Sequence, residues 1–260
     1  MNIFVFVKRV PDTESKIKIA HNEARIIEEG LNFVLNPYDE YAVEEALQIR
    51  EAKGGTVTVV SVGSDAATTI LKKCLAMGAD EAVLIKDDNP ESYDGLRTAR
   101  IIVQFLKNKA GDYDLLLFGK QSVGADNAQI PAMVAELMDL PQGNVVTSLE
   151  IEGSKGSVLR EIEGASEKIS FPLPAVVSAQ KGLNEPRYET LKGIMAAKKK
   201  EIPVISLEEL GLDKEAIKPQ ISVLKMESPP ERQAGRKIEG EPQDLAKQLV
   251  QFLHEEAKVI

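Results

Sequence analysis

The sequence predicts an α/β fold: a doubly wound, mostly parallel Rossmann-like sheet with an antiparallel hairpin insertion and an extended C-terminal arm ending in a helix. Three observations predict it. Over about the first 145 residues, strand-like apolar runs alternate with apolar residues at helical spacing, the order that yields parallel strands joined by helices. Those runs lack polar alternation, as strands buried on both faces do. After "LPQG" the period changes to two around Gly-Ser and Gly-Ala turns, which marks hairpins.

The elements follow in order. "IFVFV" (Ile3 to Val7) is the first strand, and Val43, Ala46, Leu47 and Arg50 space a helix that begins after the "NPYDE" turn at Asn36. "TVTVVSVG" (Thr56 to Gly63) is a second strand, rich in β-branched residues, followed by a helix through Ile70, Leu71, Cys74 and Leu75. "EAVLI" (Glu81 to Ile85) is the third, and Leu96, Ala99, Val103 and Leu106 mark the next helix. "DLLLFG" (Asp114 to Gly119) is the fourth, ahead of a helix spaced by Ile130, Val134, Leu137 and Met138. Hairpins occupy about residues 145–172, and "PAVVSA" (Pro174 to Ala179) returns to a buried strand. Beyond Pro203 the pattern breaks up. "KMESPPERQAGRKIEGEPQ" (Lys225 to Gln243) is rich in Pro, Gly and charge and reads as extended. Leu245, Leu249, Phe252 and Leu253 then form one stripe of a terminal helix. The expected organisation is a nucleotide-binding domain over 1–225 and an arm over 226–260 that either folds back on its own domain or embraces another subunit.

Composition narrows the function. With 41 acidic against 32 basic residues and a net charge of −9, nucleic acid is excluded as a bulk partner, since phosphate binding rests on clustered positive charge. Lys198, Lys199 and Lys200 are the local basic exception. The single Cys74 sits at helical spacing among apolar residues and reads as a small buried hydrophobe. One cysteine, no secretory signal and no apolar run of bilayer length point to a soluble protein of a reducing, intracellular compartment. His21 and His254 lack companions at metal-ligand spacing. No G-x-S-x-G, Walker A or G-x-G-x-x-G motif occurs. The carboxylates of "DEYAVEE" (Asp39, Glu40, Glu44, Glu45) lie in the first turns of a helix, where they read as complements to the macrodipole that face water. No catalytic constellation emerges.

A nucleotide site is better supported. "FGKQSVGADNAQIPAMVAELM" (Phe118 to Met138) runs from a strand end into a helix N-terminus, with Gly119 and Gly124 for tight turns. Such a loop points free backbone N–H groups at one spot, which suits a phosphate. Lys120, Gln121 and Asn127 are candidates to supplement it. Ligands of open parallel sheets sit beyond the strand C-termini, so Val7 to Val10, Val62, Gly63 and the "NPYD" turn are expected to line the same crevice.

These residues carry a resemblance. "VLREIEGASEKISFPLPAVVSA", with Val158, Arg160, Glu163, Gly164, Glu167, Ile169, Pro174, Val176 and Val177 at its spacing, closely resembles the signature of the electron-transfer flavoprotein beta subunit family. "VKRVPD", "NPYDEYAVEEAL", "LAMGAD", "GKQ" and "LNEPRY" are similar to that family in the same order, across almost the whole chain. Ala165 and Ser178 depart from the signature at positions that are not obvious contacts. The resemblance implies a heterodimer whose alpha subunit holds most of an FAD. It also implies a carrier that takes electrons from dehydrogenases, such as acyl-CoA dehydrogenases, and passes them to a quinone oxidoreductase or similar acceptor, in the cytoplasm or the mitochondrial matrix. In this family the beta crevice holds AMP. The resemblance carries that site onto Phe6, Asn36, Pro37, Tyr38, Asp39, Val62 and the loop Gly119, Lys120, Gln121, Ser122, Val123, Gly124, Ala125, Asp126, Asn127, Ala128, Gln129 and Ile130. Tyr38 matches a position near the flavin ring.

The resemblance further implies that the segment after "LNEPRY" is a recognition loop, within 181–200, whose leucine plugs a pocket on partner dehydrogenases. That leucine is Leu191, with Tyr188, Glu189, Thr190, Ile194 and Met195 around it. Otherwise Leu191 packs into its own domain and the lysines form a solvated face. The alternative function is a bifurcating relative with a second FAD in place of AMP and NADH as donor: "GADNAQIP" has some likeness to that branch, while "SPPERQAG" (Ser228 to Gly235) resembles the simple carriers. An adenylate-using ligase or amidotransferase domain would need a Ser- and Gly-rich loop after the first strand, where "VKRVPDTESK" offers charge and Pro.

Overall fold

The computed structural model describes residues 1–20, 24–88, 94–213, 215, 217–230 and 234–260, so His21 and residues 231–233 of "SPPERQAG" lie outside the described residues. In chain order the strands are β1 (Asn2–Phe6), β2 (Arg9–Pro11), β3 (Phe33–Leu35), β4 (Thr56–Gly63), β5 (Glu81–Lys86), β6 (Leu115–Gly119), β7 (Gln142–Glu152), β8 (Lys155–Ile162), β9 (Ala165–Pro172), β10 (Ala175–Ala179) and β11 (Val204–Ser206). The helices are α1 (Pro37–Lys53), α2 (Thr68–Met77), α3 (Gly95–Asn108), α4 (Ile130–Met138), α5 (Leu191–Ala197) and α6 (Pro242–Gln251).

Among the described residues, nine strands form one sheet in the order β11-β5-β4-β1-β6-β10-β7-β8-β9. Pairing is parallel from β11 to β7 and antiparallel in β7–β8 and β8–β9. The chain winds outward from β1 through β4 and β5, then crosses back to β6 and winds the other way, so the β1–β6 boundary is the topological switch point. Both faces of β1 are covered: Ile3, Val5 and Val7 pack with α1 and α2, while Phe4 and Phe6 pack with α3 and α4. Double burial is why "IFVFV" shows no polar alternation.

The hairpins extend the same sheet. Gly153 (φ +58°) and Gly164 (φ +74°) supply the left-handed residues at their turns. Where β7 shifts register, Ser178 Oγ accepts the Val145 N–H (2.9 Å) and Ser178 donates to Asn144 Oδ1 (3.1 Å). Ser178 is therefore a buried structural contact, which its place in the sequence did not suggest.

Two expectations need correction. Val7 and Lys8 continue beyond β1, but Arg9 and Val10 turn away into a two-stranded sheet with β3 and do not belong with the crevice. Beyond Pro203, β11 pairs with β5; three residues are too short to produce a readable period. The chain divides into two units, Met1–Met226 and Glu227–Ile260. Within the second, α6 runs into a π-helical turn (Phe252–Glu256), with Arg236 paired to Glu256 (2.8 Å) and set over the Phe252 ring. Among the described residues no helix is long and apolar enough to cross a membrane.

One buried ion pair crosses from β5 to α3. Arg97 grips Asp87 with both terminal nitrogens, and the side chains are only 5% and 7% exposed. Removing one member of a buried pair strands the other charge in a poorly solvating interior. Arg97→Ala is expected to cost about 3–5 kcal/mol in urea unfolding, whereas a loss below about 1 kcal/mol would contradict this assignment.

Candidate functional site

A cavity of about 370 Å³ opens at the carboxyl ends of β1, β4 and β6, against the switch point. Phe6 and Phe118 lie side by side in register on β1 and β6, their rings stacked at 4.7 Å. With Val60, Val62, Ile102 and Ile130 they give the cavity an apolar wall, suited to a flat ring.

The opposite wall is the loop between β6 and α4. Gly124 (φ +90°), Asp126 (φ +49°) and Ala128 (φ +50°) adopt left-handed conformations, uncommon for the two non-glycine residues. Gln129, next in the chain, is right-handed (φ −104°, ψ −34°). A left-handed residue beside a right-handed one aims successive N–H groups into one concavity, an anion nest. The nest leads into α4, whose N-terminus has no side-chain cap and carries Pro131 in its first turn, leaving the positive end of the helix for a ligand.

Asn36 and Asp39, at the start of α1, hold this loop in place. Asn36 Nδ2 donates to Gln121 O (2.8 Å) and to Asp39 Oδ1 (2.8 Å), and Val123 N–H donates to Asn36 Oδ1 (3.1 Å). Asp39 also accepts the Lys8 N–H (2.7 Å) and the Gly119 N–H (3.2 Å). Only glycine fits at 119, since a Cβ there would collide with Asp39 Oδ1 and the Tyr38 backbone. Burial pushes the Asp39 carboxyl up to about 7, and the hydrogen bonds from Asn36, Lys8 and Gly119 with the Lys8 charge limit the rise. Burial lowers the Lys8 ammonium, with Asp39 opposing.

The expected site residues divide. Phe6, Asn36, Asp39, Val62, Gly119, Lys120, Gln121, Ser122, Ala125, Asn127, Ala128, Gln129 and Ile130 line the cavity. Pro37, Tyr38, Val123, Gly124 and Asp126 are outside its lining. Pro37 starts α1, Val123, Gly124 and Asp126 shape the loop, and Tyr38 carries Lys120 Nζ 4.9 Å above its ring. The sequence reading missed Asp87, Asp94, Gly95 and Thr98. Asp94 had a legible signal as an N-cap, for it accepts the Leu96 N–H (2.8 Å) and Arg97 N–H (3.4 Å). Its other oxygen accepts the Gln220 N–H (2.6 Å), tying down the segment that brings Val223 to the cavity; no sequence signal marks that return.

The lining carboxylates all have structural tasks: Asp39 at the junction, Asp87 with Arg97, Asp94 at the cap. The cavity thus combines an apolar slot with an anion nest, and none of these three carboxylates is left over for chemistry.

The residues expected to form a recognition loop divide as well. Tyr188, Leu191 and Met195 are 93%, 83% and 66% exposed, so Leu191 does not pack into its own domain. Thr190 caps α5 by accepting the Gly193 N–H (3.0 Å), Ile194 packs inward against the core, and Glu189 with Ile194 lines a second cavity bounded by β3, α2 and α5. Lys198 and Lys199 are exposed, while Lys200 Nζ donates to Ala79 O (3.0 Å) and Asp80 O (2.6 Å) just past α2. The carboxylates of α1 depart from expectation: Asp39, Glu44 and Glu45 are buried, because each meets donors from elsewhere in the chain, and Glu40 pairs with Lys73 (2.5 Å).

The Asp39 junction has a pH signature. Between 3.8 and about 7 the folded chain keeps a proton that the unfolded chain releases, so this group's contribution to stability is greatest in acid and is lost as pH rises through 7. Across that window the wild type is expected to lose about 4 kcal/mol more than Asp39→Asn. Urea unfolding as a function of pH reads the difference, and parallel profiles would contradict it.

Comparison with known proteins agrees with the resemblance. The electron transfer flavoprotein domain matches residues 24–210. The chain is 42% identical to the electron transfer flavoprotein subunit beta of Bacillus subtilis, over 100% of both chains. It is 36% identical to that of Syntrophomonas wolfei, over 100% of this chain and 98% of the relative. The Mus musculus protein of the same name is 38% identical over 92% of this chain and 93% of its own. Full-length identity at this level, on a mixed α/β fold with the expected sheet, leads to one conclusion: the chain belongs to the electron transfer flavoprotein beta subunit family.

Proposed function

We propose that this chain is the beta subunit of a heterodimeric electron carrier. Its alpha subunit holds most of an FAD, dehydrogenases such as acyl-CoA dehydrogenases donate electrons, a quinone oxidoreductase or similar acceptor takes them, and AMP is a structural ligand of the beta chain. The observation that carries this reading is the cavity at the β1–β6 switch point, which has an apolar slot and an anion nest while its carboxylates are committed to the fold.

This chain's residues then act by holding and docking. Phe6 and Phe118 with the neighbouring aliphatic side chains receive the base, and the N–H groups around Ala128 and Gln129 receive the phosphate, supported by Lys8 and Lys120. The bound nucleotide stabilises the folded chain by linkage, in proportion to the logarithm of its concentration over Kd. A volume of about 370 Å³ is near the small end of ligand sites, roughly 300–1,000 Å³, which favours a mononucleotide over the second FAD of a bifurcating relative. Tyr38, with Lys120 over its ring, is assigned to the surface facing the flavin. Flavin, when bound, supplies the redox chemistry.

Tyr188, Leu191 and Met195 form the docking knob. Burying one leucine in a partner's pocket is worth roughly 1.5–3 kcal/mol, enough to anchor a brief encounter, and small interfaces suit electron-transfer partners that must part again.

Counting nucleotides in the purified heterodimer after acid release tests the cofactor assignment. One FAD and one AMP are expected; two FAD and no AMP would move the assignment to bifurcation, and neither would overturn the carrier reading. Leu191→Ala is expected to raise the KM for the heterodimer in dehydrogenase-linked reduction about tenfold, consistent with the loss of one buried side chain, with flavin content intact. Unchanged kinetics would remove Leu191 from the interface.

A further inference from the structure

We infer that Arg187, clamped by Glu44 and Glu51 of α1, is a positioning residue for docking: it sets the stance of the exposed Tyr188–Leu191–Met195 patch. The inference rests on the carrier reading and deepens it by naming what holds the patch in place.

After β10 ends at Ala179, residues 180–190 form no helix or strand. Two side chains of this run reach across to α1, more than 130 residues earlier in the chain. Asn184 Nδ2 donates to Tyr41 O (3.0 Å) and to Glu45 Oε2 (2.9 Å). Arg187 makes the larger contact. Its Nε and Nη2 donate to Glu44 Oε2 (2.8 Å) and Oε1 (3.0 Å), and its Nη1 and Nη2 donate to Glu51 Oε1 (2.5 Å) and Oε2 (3.1 Å). Its backbone N–H adds a bond to Glu44 Oε2 (3.1 Å). Glu44 and Glu51 stand two turns apart on one helix face, so the guanidinium spans both carboxylates with its planar fork. Such a fork fixes orientation as well as position, which an ammonium cannot do.

Electrostatics agrees with the geometry. Burial works against the Glu44 charge, yet hydrogen bonds from Arg187 and Gln48 outweigh it and hold the carboxyl below its usual range. Hydrogen bonds to Glu51 and Glu44 raise the Arg187 guanidinium above its ordinary value.

The next fixed point along the chain is Gly193, where α5 presses on α2 so closely that a Cβ would collide with Ala76 O. Tyr188 and Leu191 therefore hang between two anchors, Arg187 on α1 and Gly193 on α2, and Met195 follows on the next turn of α5. A clamp in this position orders a segment that presents three large apolar side chains to solvent. Ordering such a segment before the encounter removes part of the cost of docking and mounts the contact on rigid elements.

The test uses the purified heterodimer as the varied substrate of an acyl-CoA dehydrogenase supplied with its acyl-CoA. Arg187→Lys keeps the charge and loses the fork. The expected result is a five- to tenfold rise in KM with kcat within twofold, and unchanged flavin content, nucleotide content and photochemical reduction of the flavin. Glu51→Gln removes the solvent-facing half of the clamp and is expected to give a smaller rise, so it decides the matter if Arg187→Lys does not assemble. If Arg187 acts through the patch, the Arg187→Lys effect shrinks when Leu191 is already Ala. An unchanged KM, a loss of kcat or cofactor with KM unchanged, or fully additive effects would each overturn the inference. Leu191→Ala alone separates the two levels: if it leaves KM unchanged the docking reading itself falls, and if it raises KM while both clamp variants do not, only the positioning role falls.

Discussion

A single buried carboxylate, Asp39, receives hydrogen bonds from Lys8 just beyond β1, from Asn36 ahead of α1 and from Gly119 at the end of β6. Without that acceptor the Lys8 N–H, just past β1, and the Gly119 N–H, one residue past the pairing of β6 with β1, would lose their partner, and unmade buried hydrogen bonds are costly. The junction fixes the distance between the two central strand ends and the first turn of α1. Asn36 extends the same arrangement into the loop by bonding both Gln121 and Val123. The cavity's shape is thus a consequence of how one turn, "NPYD", meets two strand termini.

From that junction α1 runs outward and performs a second task. Its apolar stripe, including Ala42, Val43, Ala46 and Leu47, is buried under the sheet. Its Glu44 and Glu45 are covered by the "LNEPRY" segment, while Glu51 stays half exposed at the edge of that contact. One helix therefore has its first turn at the cavity and its later turns under the segment that leads to Leu191. The two motifs that meet in this contact, "AVEEA" and "LNEPRY", are halves of one structure.

Much of the fold was legible because its physics is local. Strands buried on both faces advertise themselves by unbroken apolar runs, and the loop 119–130 followed from a strand end leading directly into a helix. What stayed hidden depends on contacts distant in sequence. Glu44 reads as a solvent-facing carboxylate until Arg187, 143 residues away, is set against it. Asp39 reads as a dipole complement until Lys8 and Gly119 enclose it. Three-residue β11 is too short to show a period, and Val223 reaches the cavity through a bond between Gln220 and Asp94 that no pattern announces. Leu191 was visible only as an apolar residue out of place, and its exposure explains why it looked so.

If the Asp39 junction governs the cavity, the first turn of α1 and the loop after β6 respond as one body to the nucleotide. Hydrogen exchange followed by mass spectrometry, on the heterodimer stripped of nucleotide and then reloaded with AMP, reads that response. Protection is expected to rise together over residues 36–41 and 119–130 on reloading. Protection confined to the loop, with the first turn of α1 unchanged, would show that the junction does not couple them.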